Sequence, residues 1–151
     1  MINWKTIRHF SAVEFPDNPD ENASPKLIKT LDTWREQLAF RVDPSPVPGG
    51  LARFEGDRES RHYAVGRQSD AVDVFPSCHI RYAWLSAVRS KLWGGIGVYF
   101  DTQFEGRSQP MLHLDLRPGP TVFWYRINHN YGNPLMDGGD LQRLFGLLNA
   151  A

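Results

Sequence analysis

Cysteine is almost absent from this chain. Cys78 is the only one in 151 residues, which excludes an internal disulfide and a zinc cluster built from cysteines. An excess of either charge is also absent. Lys+Arg and Asp+Glu each total 17, so no net charge draws the chain toward nucleic acid or an anionic membrane. Neither partner is expected. No apolar run approaches the roughly 18 residues that a membrane span needs. The start, Met1-Ile2-Asn3-Trp4-Lys5, lacks the basic-then-apolar layout of a signal peptide. Synthesis in the cytoplasm is expected, with any export by another route. No internal repeat and no second domain stand out, so residues 1–151 read as one domain, and a monomer is expected.

What is present is apolar and aromatic. Aromatic residues make up 13% of the chain, which argues for a packed fold and against disorder. Residues 1–23 read as an irregular lead-in pinned by Phe10, Val13 and Phe15, with Pro16 to Asp20 breaking any regular element. Ser24-Pro25 is a helix start. Leu27, Ile28, Leu31, Trp34 and Leu38 follow at helical spacing and predict a helix over 25–39. Residues 41–59 are rich in proline and glycine and form a connection, whose charged end, Glu55 to Arg61, is a candidate rim for a site. Strands are predicted at 71–75, 95–100, 111–116 and 121–127. A second helix is predicted at 78–92, closed by Gly94-Gly95. A third, at 138–149, should bury Leu141, Leu144, Phe145 and Leu148. The closely spaced later strands point to an α+β domain with a small antiparallel sheet and flanking helices.

Two histidines and several carboxylates sit on or beside these short strands. They occur in Ser60-Arg61-His62, in Ser69-Asp70-Ala71-Val72-Asp73-Val74 and in Met111-Leu112-His113-Leu114-Asp115. Imidazole and carboxylate together suit zinc, and three protein ligands with one open position mark a catalytic rather than a structural site. His62, Asp73 and His113 are the candidate ligands. Asp70 is a rival, but Asp70 and Asp73 are an odd number of residues apart and would face opposite sides of one strand. His9, His79 and His129 read as ordinary histidines. Cys78-His79 does not make a nucleophile pair, because neighbours on a helix diverge.

These motifs resemble the zinc D-alanyl-D-alanine carboxypeptidase and endopeptidase family. Its fold is shared with hedgehog signalling domains, and many of its members are phage or prophage endolysins. The resembling pieces are Ser60-Arg61-His62, Gly66, Ala71-Val72-Asp73-Val74, Gly94-Gly95-Ile96-Gly97-Val98-Tyr99 and His113-Leu114-Asp115. The resemblance covers roughly residues 8–127. It implies a hedgehog/DD-peptidase-like fold, one Zn²⁺, and hydrolysis of a peptidoglycan stem or cross-link peptide in the cell wall or periplasm. It also favours Asp73 over Asp70 through the Ala-x-Asp-aliphatic signature, although the spacer after His62 is longer than usual. Where many members carry a Ser-x-x-Arg, this chain has Ser45-Pro46-Val47-Pro48. Arg53, Arg58 and Arg67 are the possible stand-ins. The departure favours an endopeptidase over a carboxypeptidase.

In that chemistry zinc polarises the scissile carbonyl and acidifies a bound water, and a nearby group moves the proton. Asp115, two residues from His113 on one strand face, is the candidate catalytic base, or else a group that orients a ligand. Arg67 and Tyr99 are the candidate substrate-binding residues. Trp84 and Trp93 read as core; Tyr99 and Trp124 read as core or substrate-facing. The alternative to an enzyme is a non-catalytic binding module, such as a phage component that keeps the fold and the metal site.

Overall fold

The structure, a computed structural model, describes residues 1–133 and 138–151. Four helices are described: α1 (Pro19–Asn22), α2 (Pro25–Glu36), α3 (Ile80–Ser90) and α4 (Gly138–Ala150). The strands are β1 (Val42–Pro44), β2 (Ala71–Pro76), β3 (Gly95–Tyr99), β4 (Gln103–Phe104), β5 (Arg107–Ser108), β6 (Met111–Asp115), β7 (Val122–Ile127) and β8 (Asn130–Gly132). No helix among the described residues is long and apolar enough to cross a membrane.

The class is α+β, but the sheet is larger than expected and is mixed. Six strands run in the order β1-β2-β6-β3-β7-β8, and β4-β5 form a separate hairpin. β6 pairs antiparallel with β2 on one edge and with β3 on the other. It therefore sits between two strands that run the same way, with α3 connecting them as a split crossover. Both edges of β6 are thus taken. When the chain reverses after β6, the returning β7 has to pair with the far edge of β3, and reversal makes that pair parallel. A wholly antiparallel sheet is excluded by this order of pairing.

The two-residue period of the strands divides the sheet into two faces. One face carries Val72 and Val74 of β2, Leu112 and Leu114 of β6, and Ile96 and Val98 of β3, all buried. They belong to one core with Leu27, Ile28, Leu31 and Trp34 of α2 and Ile80, Ala83 and Ala87 of α3. The other face carries the polar residues of the same strands. Asp73, His113, Gly97 and Trp124 lie side by side in register across β2, β6, β3 and β7.

The glycines of β3 make that polar row possible. A Cβ on Gly97 would overlap the indole of Trp124, and one on Gly95 would overlap the carboxylate of Asp115. Helix α3 is capped instead by Lys91, which takes the left-handed conformation at φ 56°. The expected closure by Gly94-Gly95 is therefore replaced. Those glycines serve close approach, Gly94 to the carbonyl of Arg117 and Gly95 to Asp115.

Other boundaries shifted modestly. α2 starts as predicted, with Ser24 Oγ accepting from the Leu27 N–H at 3.2 Å, and ends at Glu36. The segment expected to be irregular contains the short α1, and the proline-rich connection contributes β1 as an edge strand, where Pro44 is tolerated. On α4, Leu144 and Leu148 are buried as expected, while Leu141 and Phe145 are 39% and 47% exposed. α4 packs on α3 and is tied to the sheet by the Tyr125 hydroxyl, which donates to Asp140 at 2.7 Å.

Gly97→Ala should cost about 1–3 kcal/mol, because the added methyl must displace Trp124 in a filled row. The expected result is a lower urea midpoint with an unchanged slope. An unchanged midpoint would show that the row is loosely packed.

Candidate metal centre

The polar face of the sheet supplies two of the three candidate ligands directly. Asp73 of β2 and His113 of β6 are paired residues on adjacent strands. The third, His62, arrives on the connection that folds over this face. That connection is fixed by backbone bonds: Arg53 N–H donates to the His62 carbonyl at 2.7 Å, and Ala64 N–H to the Arg53 carbonyl at 2.8 Å. Asp73 is held on its own backbone by Gly50, whose carbonyl accepts its N–H at 2.7 Å. Asp17 anchors the loop from the other side. Its carboxylate accepts the N–H groups of Gly49, Leu51 and Ala52 at 2.9–3.1 Å.

The three ligand atoms form a tight triangle. His62 Nε2 lies 2.9 Å from His113 Nδ1, and each lies close to Asp73 Oδ1, at 3.1 and 3.0 Å. All three residues are buried. Asp70 stays outside this group; its backbone N–H and carbonyl bond to Arg61 and Leu116.

The outer nitrogen of each imidazole fixes its tautomer through the hydrogen-bond network. His62 Nδ1 faces the Leu51 carbonyl at 3.2 Å, which can only accept, so Nδ1 carries the proton. His113 Nε2 faces Asp115 Oδ2 at 3.1 Å. Burial alone would raise the Asp115 carboxyl, but hydrogen bonds from His113 and Arg117 outweigh it and hold the group below the usual carboxylate range. Asp115 is therefore an acceptor, and His113 Nε2 donates to it. Both inward nitrogens then present lone pairs, toward each other and toward the Asp73 oxygen.

Three lone pairs about 3 Å apart repel one another unless a cation stands between them. In the metal-free protein a proton on His113 can fill that role. Burial would depress the His113 imidazole, but the hydrogen bonds and charges of Asp115 and Asp73 raise it above its ordinary 6.5. Burial likewise opposes ionisation of Asp73, yet its contacts with the two imidazoles outweigh burial and hold the group below the usual carboxylate range. A metal ion fits the same place. Tetrahedral ligands about 2.0–2.1 Å from zinc stand roughly 3.3 Å apart, close to the spacing found here. A buried N₂O donor set whose imidazoles are each held from behind suits zinc and similar divalent ions.

Around the triangle, the candidate residues take different places. Asp115 is fully buried behind His113, on the ring nitrogen that points away from the cluster. Arg117 clamps it, donating from Nε to Oδ1 at 2.8 Å and from Nη2 to Oδ2 at 2.5 Å while stacking over Trp124. Tyr99 stacks on His113 at 6.3 Å between ring centres, and the Arg126 guanidinium lies over the Tyr99 ring at 4.4 Å. Arg67 lines neither cavity at the cluster. It donates to the Tyr63, Arg58 and Ser60 carbonyls and braces the loop that carries His62. Of the arginines weighed from the sequence, Arg53 reaches the centre, with Nη2 3.5 Å from Asp73 Oδ2.

Two cavities meet at the cluster. One, of about 260 Å³, includes Ser45, Gly50, Asp73, Phe75 and Met111 in its wall. The other, of about 410 Å³, includes His62, His113, Asp57, Glu59, Trp124 and Tyr131. Arg53 and Tyr99 line both. Sequence reasoning missed Asp17 and the Leu51 carbonyl, which carry no local signal because they act through backbone groups. Arg117 had one: it lies two residues beyond Asp115 in extended chain, on the same side.

These groups give opposite pH slopes to the metal-free and metal-loaded protein. The raised His113 stabilises the metal-free fold fully below pH 6.5, and that contribution is lost as pH rises through its folded value. Asp73 and Asp115, both lowered, hold their contribution above the ordinary value of 3.8 and do not change in this range. Metal binding displaces the shared proton and strengthens as pH rises. Between about pH 6 and about pH 8.5, the melting temperature in chelator should fall, and the increment produced by zinc should grow. A zinc increment independent of pH would show that the imidazoles are not ligands.

No family model matches the chain, and neither does any curated protein or solved structure. What the chain does has to be argued from the cluster itself.

Proposed function

We propose that this chain is a zinc metallopeptidase that hydrolyses amide bonds in peptidoglycan peptides, an endopeptidase rather than a carboxypeptidase. The observation that carries the reading is the buried convergence of His62 Nε2, Asp73 Oδ1 and His113 Nδ1 at the junction of two cavities. Three protein donors leave a tetrahedral ion one position for chemistry. Zinc bound there would polarise a scissile carbonyl and acidify a water.

The chain's own residues do the rest. Leu51 and Asp115 hold the two imidazoles in the tautomers that bind metal. Arg117 keeps Asp115 ionised and oriented. Asp115 is then a positioning residue, since it meets the back of His113 and not the cavity. Tyr99 and Arg53 stand where the two cavities join, beside any chain that crosses the cluster. Cavities on both sides let a substrate extend in both directions, which supports cleavage of an internal bond. The net reaction adds one water: its oxygen joins the carbonyl carbon, the C–N bond breaks, and a proton passes to the amine. The wall-peptide substrate and a phage or prophage origin rest on the motif resemblance, as does a hedgehog/DD-peptidase-like topology. The site of action would be the cell wall or periplasm.

Purified cell walls incubated with the zinc-loaded protein should lose turbidity, and a chelator should stop the loss. Asp115→Asn should bind zinc roughly 10–100-fold more weakly and recover activity in excess zinc. Zinc binding without wall clearance would leave a non-catalytic binding module. A rate loss in Asp115→Asn that excess zinc does not restore would return the base role to Asp115.

A further inference from the structure

Hydrolysis at this centre needs a group that takes a proton from water and returns it to the leaving nitrogen. The carboxylates near the cluster can be taken in turn. Asp73 gives one oxygen to the ligand triangle, and its other faces Arg53 at 3.5 Å. Asp115 is sealed behind His113 and engaged by Arg117. Asp70 lines neither cavity. The acidic residues that line the cavity onto His62 and His113 are Asp57 and Glu59. Asp57 Oδ1 accepts the Glu59 N–H at 2.9 Å and so closes the turn that carries both. The Glu59 carboxylate has no side-chain partner among the described residues, and Glu59 is exposed.

The turn also fixes where Glu59 stands relative to a ligand. Ser60 N–H bonds to the Asp57 carbonyl at 3.2 Å, Ser60 Oγ accepts the His62 N–H at 3.3 Å, and Arg67 binds the Ser60 carbonyl at 2.7 Å. Glu59, three residues before His62, is thereby held in the wall of the same cavity as that ligand.

We infer that Glu59 is the catalytic base of this site, a role that rests on the hydrolase reading above. A water in the cavity gives a proton to the Glu59 carboxylate as its oxygen bonds to the scissile carbonyl carbon. The C–N bond then breaks, and the proton on Glu59 passes to the leaving nitrogen. No other reactant is consumed. The residue is separated in sequence from the His113 strand, so the base and the second histidine come from different parts of the fold.

The test uses Glu59→Gln in the full chain, beside Asp57→Asn. Because residue 59 is exposed, its substitution should leave the fold and the zinc content unchanged. Two readouts follow. Wall clearance by Glu59→Gln should fall by about 10²–10⁴-fold, the usual contribution of general-base catalysis. Binding of acetohydroxamic acid to the cobalt-loaded protein, read from its visible spectrum, should weaken by at least about tenfold. That ligand must also surrender a proton to a nearby base as it binds. If wild-type protein clears no walls, the peptidoglycan reading fails, while the acetohydroxamic acid arm still tests Glu59. Wild-type affinity for acetohydroxamic acid in Glu59→Gln would overturn the assignment. So would undiminished clearance, or impairment in Asp57→Asn alone.

Discussion

A buried place where three lone pairs meet is the constraint on which the rest of this structure depends. His62 Nε2, His113 Nδ1 and Asp73 Oδ1 stand about 3 Å from one another, away from water. Neutral imidazoles and a carboxylate arranged this way would repel, and an unpaired buried carboxylate is costly in itself. A cation at the centre turns both penalties into attraction. The surrounding network ensures that the cation is not supplied by the histidines' own outer protons, because Leu51 and Asp115 hold those facing outward. The centre is therefore compatible with either a proton or a metal ion.

The sheet makes this possible by keeping its two faces apart. Alternate residues of β2, β3 and β6 build the apolar core against α2 and α3, and the intervening residues build the cluster. Neither set can move by one residue without exchanging places with the other. The glycines of β3 are the concession that the polar face extracts: without them the Asp115 carboxylate and the Trp124 indole would have no room. Support then reaches outward in shells. Arg117 holds Asp115, and Asp17 holds the loop whose carbonyls meet His62 and the Asp73 backbone. Residues remote in sequence thus share one task.

Much of this was legible in the sequence, and the parts that were not share a cause. The helices at α2, α3 and α4 and the strands β2, β3, β6 and β7 follow from apolar period and turn residues, which are local signals. The proximity of His62, Asp73 and His113 was expected from residue type and the motif resemblance; strand parity said that Asp70 and Asp73 would not both ligate, and the Ala-x-Asp signature favoured Asp73. Strand order could not. The parallel β3–β7 pair arises because β6 occupies the slot beside β3, a fact about assembly and not about any one segment. Backbone-mediated support from Asp17 and Leu51 was equally hidden, since any residue has the N–H or carbonyl involved. Arg67, a charge near the ligand motif, braces its own loop, a role its position in the sequence did not show.

The most direct measurement is zinc content after equilibrium dialysis. The convergence of His62, Asp73 and His113 predicts one zinc per chain in the wild-type protein and loss of most of it in His113→Ala, because a site with three protein ligands poorly tolerates losing one. Wild-type protein that binds no zinc or other divalent ion, or full occupancy retained in both His62→Ala and His113→Ala, would contradict the account.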